Sequence, residues 1–216
     1  LLVVVTPSWQ VELWTSDGTP EGTVLLADLW PGTRGSGPHE LTVLGDRLFF
    51  SAEDSDHGRG LWVSDGTPGG SVLFADRCPG LASSSPDSLT VAGDRLFFTA
   101  VDGRDRGLWV SDGTPEGTGR IEGIQPQGSL AALGGRVFFG GSYGGGGGGL
   151  LISDGTPEGT SLLLDLRFER GSGVPWLSVA LGRLFFAASD AEGASRIHVS
   201  DGTVEGTTIL KDDLGG

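Results

Sequence analysis

The chain has 216 residues, a length that suits one large all-β domain or at most two small ones. Glycine fills 40 positions without a strict every-third spacing, which excludes collagen, and 37% apolar residues supply a core, which excludes disorder. Lys and Arg number 14 against 28 Asp and Glu, and the net charge of −14 repels nucleic-acid phosphates and anionic lipid heads. Cys78 is alone, so it forms no internal disulfide and a cysteine-rich zinc site is excluded. No apolar run approaches the ~20 residues of a membrane-spanning helix. Insertion into a membrane is therefore not expected. The chain opens Leu1-Leu2-Val3-Val4-Val5 and contains no Met, as expected of a polypeptide that has lost its natural N-terminus.

The first predicted element is the strand Leu1 to Val5, and the second is Glu12-Leu13-Trp14-Thr15. A turn, Ser16-Asp17-Gly18-Thr19, follows. Ser-Asp-Gly-Thr then recurs along the chain, with its acid at Asp17, Asp65, Asp112, Asp154 and Asp201, 42 to 48 residues apart. A period of ~40–50 residues belongs to propeller blades or to helical repeats. The apolar runs decide between them: they are short, β-rich and bounded by turn residues, and none sustains a helical i, i+3, i+4, i+7 pattern.

Taken in chain order, each unit predicts four strands. Leu41-Thr42-Val43 opens the second unit, with counterparts at Leu89, Leu130 and Leu177. Gly45-Asp46 forms a tight hairpin turn into Arg47-Leu48-Phe49-Phe50, and the pattern returns at Arg95, Arg136 and Arg183. Gly60-Leu61-Trp62-Val63 is the third strand and Ser71 to Asp76 the fourth. Between them the Asp carboxylate of each Ser-Asp-Gly-Thr accepts from backbone N–H groups two residues on, which makes the five Asp residues turn builders. The Phe pairs point to both faces of their strand, as burial between two neighbouring blades requires. Repeated four-stranded units predict an all-β, five-bladed β-propeller forming a single domain. Its repeats run over about 1–40, 41–88, 89–129, 130–176 and 177–216. Four opening strands serve five units, so one blade is expected to be a strand short; an open superhelix is the structural alternative.

Candidate chemistry is sparse. Gly140-Gly141-Ser142-Tyr143-Gly144 matches a nucleophile elbow, but that motif needs a strand, a turn and a helix, and the glycines to Gly149 cannot hold a helix; a flexible loop is expected instead. His39, His57 and His198 have no metal-ligand spacing. Asp54 and Asp56 in one loop, and Asp102 and Asp105 in the equivalent loop, offer clustered oxygens of the kind calcium takes. No acid stands in the matching loop at Gly144 to Gly149, which favours a solvated turn. The third-strand aromatic position holds Trp14, Trp62, Trp109, Leu151 and His198. It reads either as packing between blades or as an aromatic platform for a sugar ring.

Glu12-Leu13-Trp14-Thr15-Ser16-Asp17-Gly18-Thr19, followed by Glu21-Gly22-Thr23, resembles the ELWxxDGT repeat family of bacterial surface proteins. Asp54 to Gly58 before Leu61-Trp62 and Ser85-Pro86 before Leu89-Thr90 match the same repeat. Leu150-Leu151 and Ile197-His198 depart from it. The resemblance covers essentially the whole chain and implies a secreted or cell-surface bacterial protein without a defined catalytic set. In size the chain also resembles five-bladed lectins of the tachylectin-2 type. The expected function is a non-enzymatic module that recognises a glycan or protein ligand. The alternative is a structural surface repeat that self-associates through an unpaired blade edge.

Overall fold

The computed structural model describes residues 2–4, 11–32, 34–75, 83–103, 105–144, 148–166, 177–189 and 195–211. They contain strands and turns and no helix. Five antiparallel sheets follow one another along the chain, the blade succession of a β-propeller. The first has three strands: β1 (Leu2–Val4), β2 (Leu13–Ser16) and β3 (Val24–Ala27). The second runs β4 (His39–Leu44), β5 (Arg47–Asp54), β6 (Gly58–Ser64) and β7 (Ser71–Ala75). The third holds β8 (Asp87–Ala92), β9 (Arg95–Val101), β10 (Arg106–Ser111) and β11 (Gly119–Ile121). The fourth holds β12 (Ile124–Leu133), β13 (Arg136–Tyr143), β14 (Gly148–Ser153) and β15 (Ser161–Asp165). The fifth holds β16 (Leu177–Ala180), β17 (Arg183–Ser189), β18 (Ser195–Ser200) and β19 (Thr208–Lys211). Among the described residues the first sheet has one strand fewer than each of the others.

The chain divides into two compact units. One comprises Leu1–Leu89 and Ala100–Asp105, the other Thr90–Thr99 and Arg106–Gly216. The core of the first unit draws on its first two blades: Leu13, Leu26 and Ala27 pack with Leu48, Phe50, Ala52 and Trp62. The second unit has two such clusters. In one, Phe97, Leu108 and Ile121 of the third blade meet Leu130, Val137, Phe139 and Leu151 of the fourth. In the other, Ala131, Phe138, Leu150 and Ile152 of the fourth blade meet Leu177, Leu184, Phe186 and Ala188 of the fifth. The neighbours Phe138 and Phe139 thus serve different clusters, because successive side chains leave opposite faces of a strand. The fourth blade is apolar on both faces because the third lies against one and the fifth against the other.

Two segments differ from expectation. β12 begins at Ile124, six residues before the expected Leu130, and a bulge between Gln127 and Leu130 absorbs the extra length. Ile124 is fully buried, so its contact with the core outweighs the polar residues after it. Ser142 lies in β13, paired with Gln125 and Gly148, rather than in a loop; ladder hydrogen bonds on both sides hold the glycine-rich strand extended. The hairpin turn of the second blade uses Gly45 at φ 62°, and the fifth blade places Leu181 in that role at φ 52°. A left-handed conformation costs an L-residue roughly 1–2 kcal/mol.

Candidate functional site

The recurring turn is closed on itself. In the fourth blade Asp154 Oδ1 accepts from the Thr156 N–H at 2.9 Å and the Thr156 hydroxyl at 2.7 Å. Thr156 Oγ1 accepts from the Gly159 N–H at 3.0 Å. The Thr160 hydroxyl donates to the Thr156 carbonyl at 2.6 Å and lies 2.7 Å from Ser153 Oγ, which accepts from the Gly155 N–H. The Asp-to-Thr pair of bonds recurs at Asp17, Asp65, Asp112 and Asp201. These bonds, led by the one from the threonine hydroxyl, hold all five carboxyls below the usual aspartate range. The seventh residue of each copy, Gly22, Gly70, Gly117, Gly159 or Gly206, lies so near that a Cβ would overlap the carboxylate.

The second blade carries Ser71 where the other copies have Thr23, Thr118, Thr160 and Thr207. Its Oγ is buried and finds no partner among the described residues. Ser71→Thr is expected to restore the hydroxyl bonds, since the β-branched side chain fixes χ1. Urea unfolding should then show a gain of about 1 kcal/mol.

The aromatic position serves packing. Trp62 and Trp109 are each 7% exposed. Trp62 donates through Nε1 to the Ala52 carbonyl at 3.1 Å, and Trp109 stacks on Phe98 at 6.2 Å between ring centroids. At these two residues burial leaves little ring surface open to a sugar. Trp14 and His198 are half-buried. His198 lies parallel to Phe186 at 4.9 Å, and burial, together with the Arg196 charge, holds its pKa below the usual histidine value.

The acidic loops behave differently from a cation site. Asp54 Oδ1 accepts from the backbone N–H groups of Asp56 and His57, at 3.1 and 2.6 Å, and Oδ2 faces His57 Nδ1 at 2.8 Å. Burial works to raise the Asp54 pKa, and the bonds from His57 and Asp56 outweigh it, so the net direction is down. Asp56 and Asp105 are exposed and Asp102 is half-buried. Among the described residues no three His, Cys, Asp or Glu side chains gather where they could hold a metal ion.

A charged cluster that sequence reasoning missed sits beside Asp54 in the first unit. Glu53 lies 3.5 Å from Arg34 and 3.6 Å from Arg59. Arg59 donates to the Gly37 carbonyl at 3.2 Å and approaches His39 Nδ1 at 3.0 Å. The Arg34 guanidinium stands 4.2 Å over the Trp30 ring while its side chain remains 64% exposed. The only available signal was negative: Trp30 and Arg34 fall in the connection between blades and His39 at the first position of β4, outside the repeated strings. Chemically the cluster offers an aromatic face, two cations and a carboxylate near the turn end of the β5–β6 hairpin. Two shallow cavities of about 240 Å³ also lie in this unit, one lined by Leu25 to Leu29 with Pro68, Gly69 and Ser71. The other is lined by Val43, Arg47, Leu48 and the Ser64 to Gly66 turn. Both are smaller than the 300–1,000 Å³ typical of small-molecule sites.

No protein-family model and no curated protein matches the chain. Solved structures do. TolB from Acinetobacter baumannii superposes with a TM-score of 0.57 at 11% identity, over 97% of this chain and 52% of that one. A putative TolB from Agrobacterium tumefaciens gives 0.53 at 13% identity, over 98% and 81%. A puromycin-hydrolyzing peptidase from Mycobacterium tuberculosis gives 0.58 at 15%, over 99% of this chain and 35% of that one. The chain therefore spans about half the Acinetobacter protein and about a third of the peptidase. At these identities the likeness establishes a shared fold.

Proposed function

We propose that this chain is a non-enzymatic binding propeller of the ELWxxDGT kind, carried by a secreted or cell-surface bacterial protein, and that it recognises a glycan or protein ligand. One observation carries the reading. The recurring residues are consumed by structural bonds, whereas the non-repeated Trp30, Arg34, Glu53 and Arg59 collect at one partly exposed end of the first unit. An aromatic face beside guanidinium and carboxylate groups suits a hydroxyl-rich or carboxylated ligand. The fold shared with the two TolB proteins supports a module that binds other molecules. One neighbour is named for a reaction, the puromycin-hydrolyzing peptidase, and the shared span covers only 35% of that protein.

A glycan array probed with the purified chain, in calcium and again in chelator, tests the reading. Selective binding is expected in both buffers, because the Asp54 oxygens are already occupied by His57 and backbone N–H groups. Arg34→Ala should weaken any such hit at least tenfold. Loss of binding on chelation would instead assign Asp54, Asp56, Asp102 and Asp105 to calcium. A blank array in both buffers would favour the structural-repeat reading.

A further inference from the structure

The connection between β3 and β4 is pinned at several points. Glu12 holds an arch of it at both ends, accepting from the Leu29 N–H at 3.2 Å and from the Ser36 N–H at 2.8 Å. The Gly37 N–H donates to the Val11 carbonyl at 3.0 Å, and the Ser36 carbonyl accepts from the Glu53 N–H at 2.9 Å. Arg59 closes the other side. Its guanidinium donates to the Gly37 carbonyl. Its own backbone carbonyl accepts from the Ser85 N–H at 3.2 Å and from the Ser83 hydroxyl at 3.1 Å. Trp30 and Arg34 therefore stand on an arch built before any ligand arrives, which lowers the ordering cost of binding.

The two guanidinium groups beside the arch have different duties. Arg59 is spent on the Gly37 carbonyl and His39, and its side chain is 25% exposed. Arg34 is 64% exposed, and among the described residues its one polar partner is Glu53, at 3.5 Å. A close charge-assisted bond would measure about 2.7–2.9 Å. Glu53 divides its two oxygens between Arg34 and Arg59 and holds neither closely. Two cations against one carboxylate leave the site positive in a chain of net charge −14. The next acid, Asp54, leaves the opposite face of the strand and is taken up by His57 and backbone N–H groups. The Arg34 guanidinium also covers one face of Trp30, so that face is closed to a neutral sugar ring. What the arch offers a ligand is the guanidinium, and one that lies over an aromatic ring keeps the N–H donors of its edge for bonding.

We infer that the ligand of this site is a sugar acid, a pyranose carrying a carboxylate beside hydroxyl groups; this rests on the binding function proposed for the same residues and narrows it. Arg34 takes the ligand carboxylate through its planar fork. Glu53 accepts from an adjacent hydroxyl, and its charge disfavours a dianion such as a phosphate ester.

Isothermal titration of the intact chain, in chelator so that no calcium bridges the partners, tests it. The probes are oligogalacturonate and sialyllactose, each beside its carboxyl-reduced form. At least one acid is expected to bind, about tenfold or more tighter than its reduced form, the range of one charged hydrogen bond. Arg34→Gln should abolish that preference, and Arg34→Lys, which keeps the charge without the fork, should retain only part of it. Glu53→Gln should strengthen binding of the acid and leave the reduced form unchanged, whereas damage to the fold would weaken both. Equal affinity for acid and reduced forms, or a preference for the reduced forms, would overturn the inference and leave a binding module in place. Binding of none of the four would overturn it too, and the glycan array then decides whether the wider reading stands. A carboxylate preference that survives Arg34→Gln would put the ligand elsewhere and overturn it as well.

Discussion

Gly159→Ala should destabilise the protein by about 1–3 kcal/mol, toward the upper end of what overpacking costs. The added methyl would overlap the Asp154 carboxylate, which is held in place by two bonds to Thr156. Swinging the carboxylate aside breaks both bonds. Moving the backbone instead breaks the Gly159 N–H bond to Thr156 Oγ1 and disturbs Thr160, which is 3% exposed. Every route of relief costs an interaction that the turn needs. Glu158→Ala, one residue earlier and exposed, should change stability by less than about 0.5 kcal/mol. Chemical denaturation of the two variants side by side checks the pair, and equal effects would mean that the close approach is unimportant.

Glu12→Ala should cost about 3 kcal/mol for a different reason. Glu12 is only 7% exposed, and its carboxylate gathers the chain that leaves the first blade. Oε1 accepts from the Ser36 N–H at 2.8 Å, and Oε2 accepts from the Leu29 N–H at 3.2 Å and from the Ser36 hydroxyl. Removing the acceptor strands the donors of Leu29 and Ser36, each worth ~1–3 kcal/mol when buried and unpaired. Glu12→Gln keeps one oxygen and should lose about half as much. The counterparts of Glu12 show why the device is used once. Gly60 has Leu73 Cδ1 at 2.8 Å from a would-be Cβ, and at Gly107 and Gly149 a Cβ would overlap Arg120 and the Leu164 carbonyl. Urea unfolding of the three proteins should rank wild type, Gln and Ala in that order.

The repeated parts of the molecule were legible because repetition itself carries information. The fivefold Ser-Asp-Gly-Thr string marked the turns, and the paired phenylalanines marked strands buried on both sides. What could not be read depends on distances between residues remote in sequence. Glu12 meets Ser36 across 24 positions, and Glu53 meets Arg34 across 19. Alternation placed the third-strand tryptophans on one face but could not say whether that face met solvent or the preceding blade. The long β12 escaped because Gln125, Gln127 and Ser129 lie outside any apolar run, while Ile124 anchors the strand from one end.

The central claim is that the recurring aspartates are fold devices, each closing its own turn. Amide hydrogen exchange at Thr19, Thr67, Thr114, Thr156 and Thr203 tests this most directly, since each of these N–H groups donates to its aspartate at 2.8 to 2.9 Å. Slow exchange is expected at all five despite their surface turns, with Asp154→Ala releasing Thr156 alone. Rapid exchange at these threonines in the wild-type chain, as in an open loop, would contradict it.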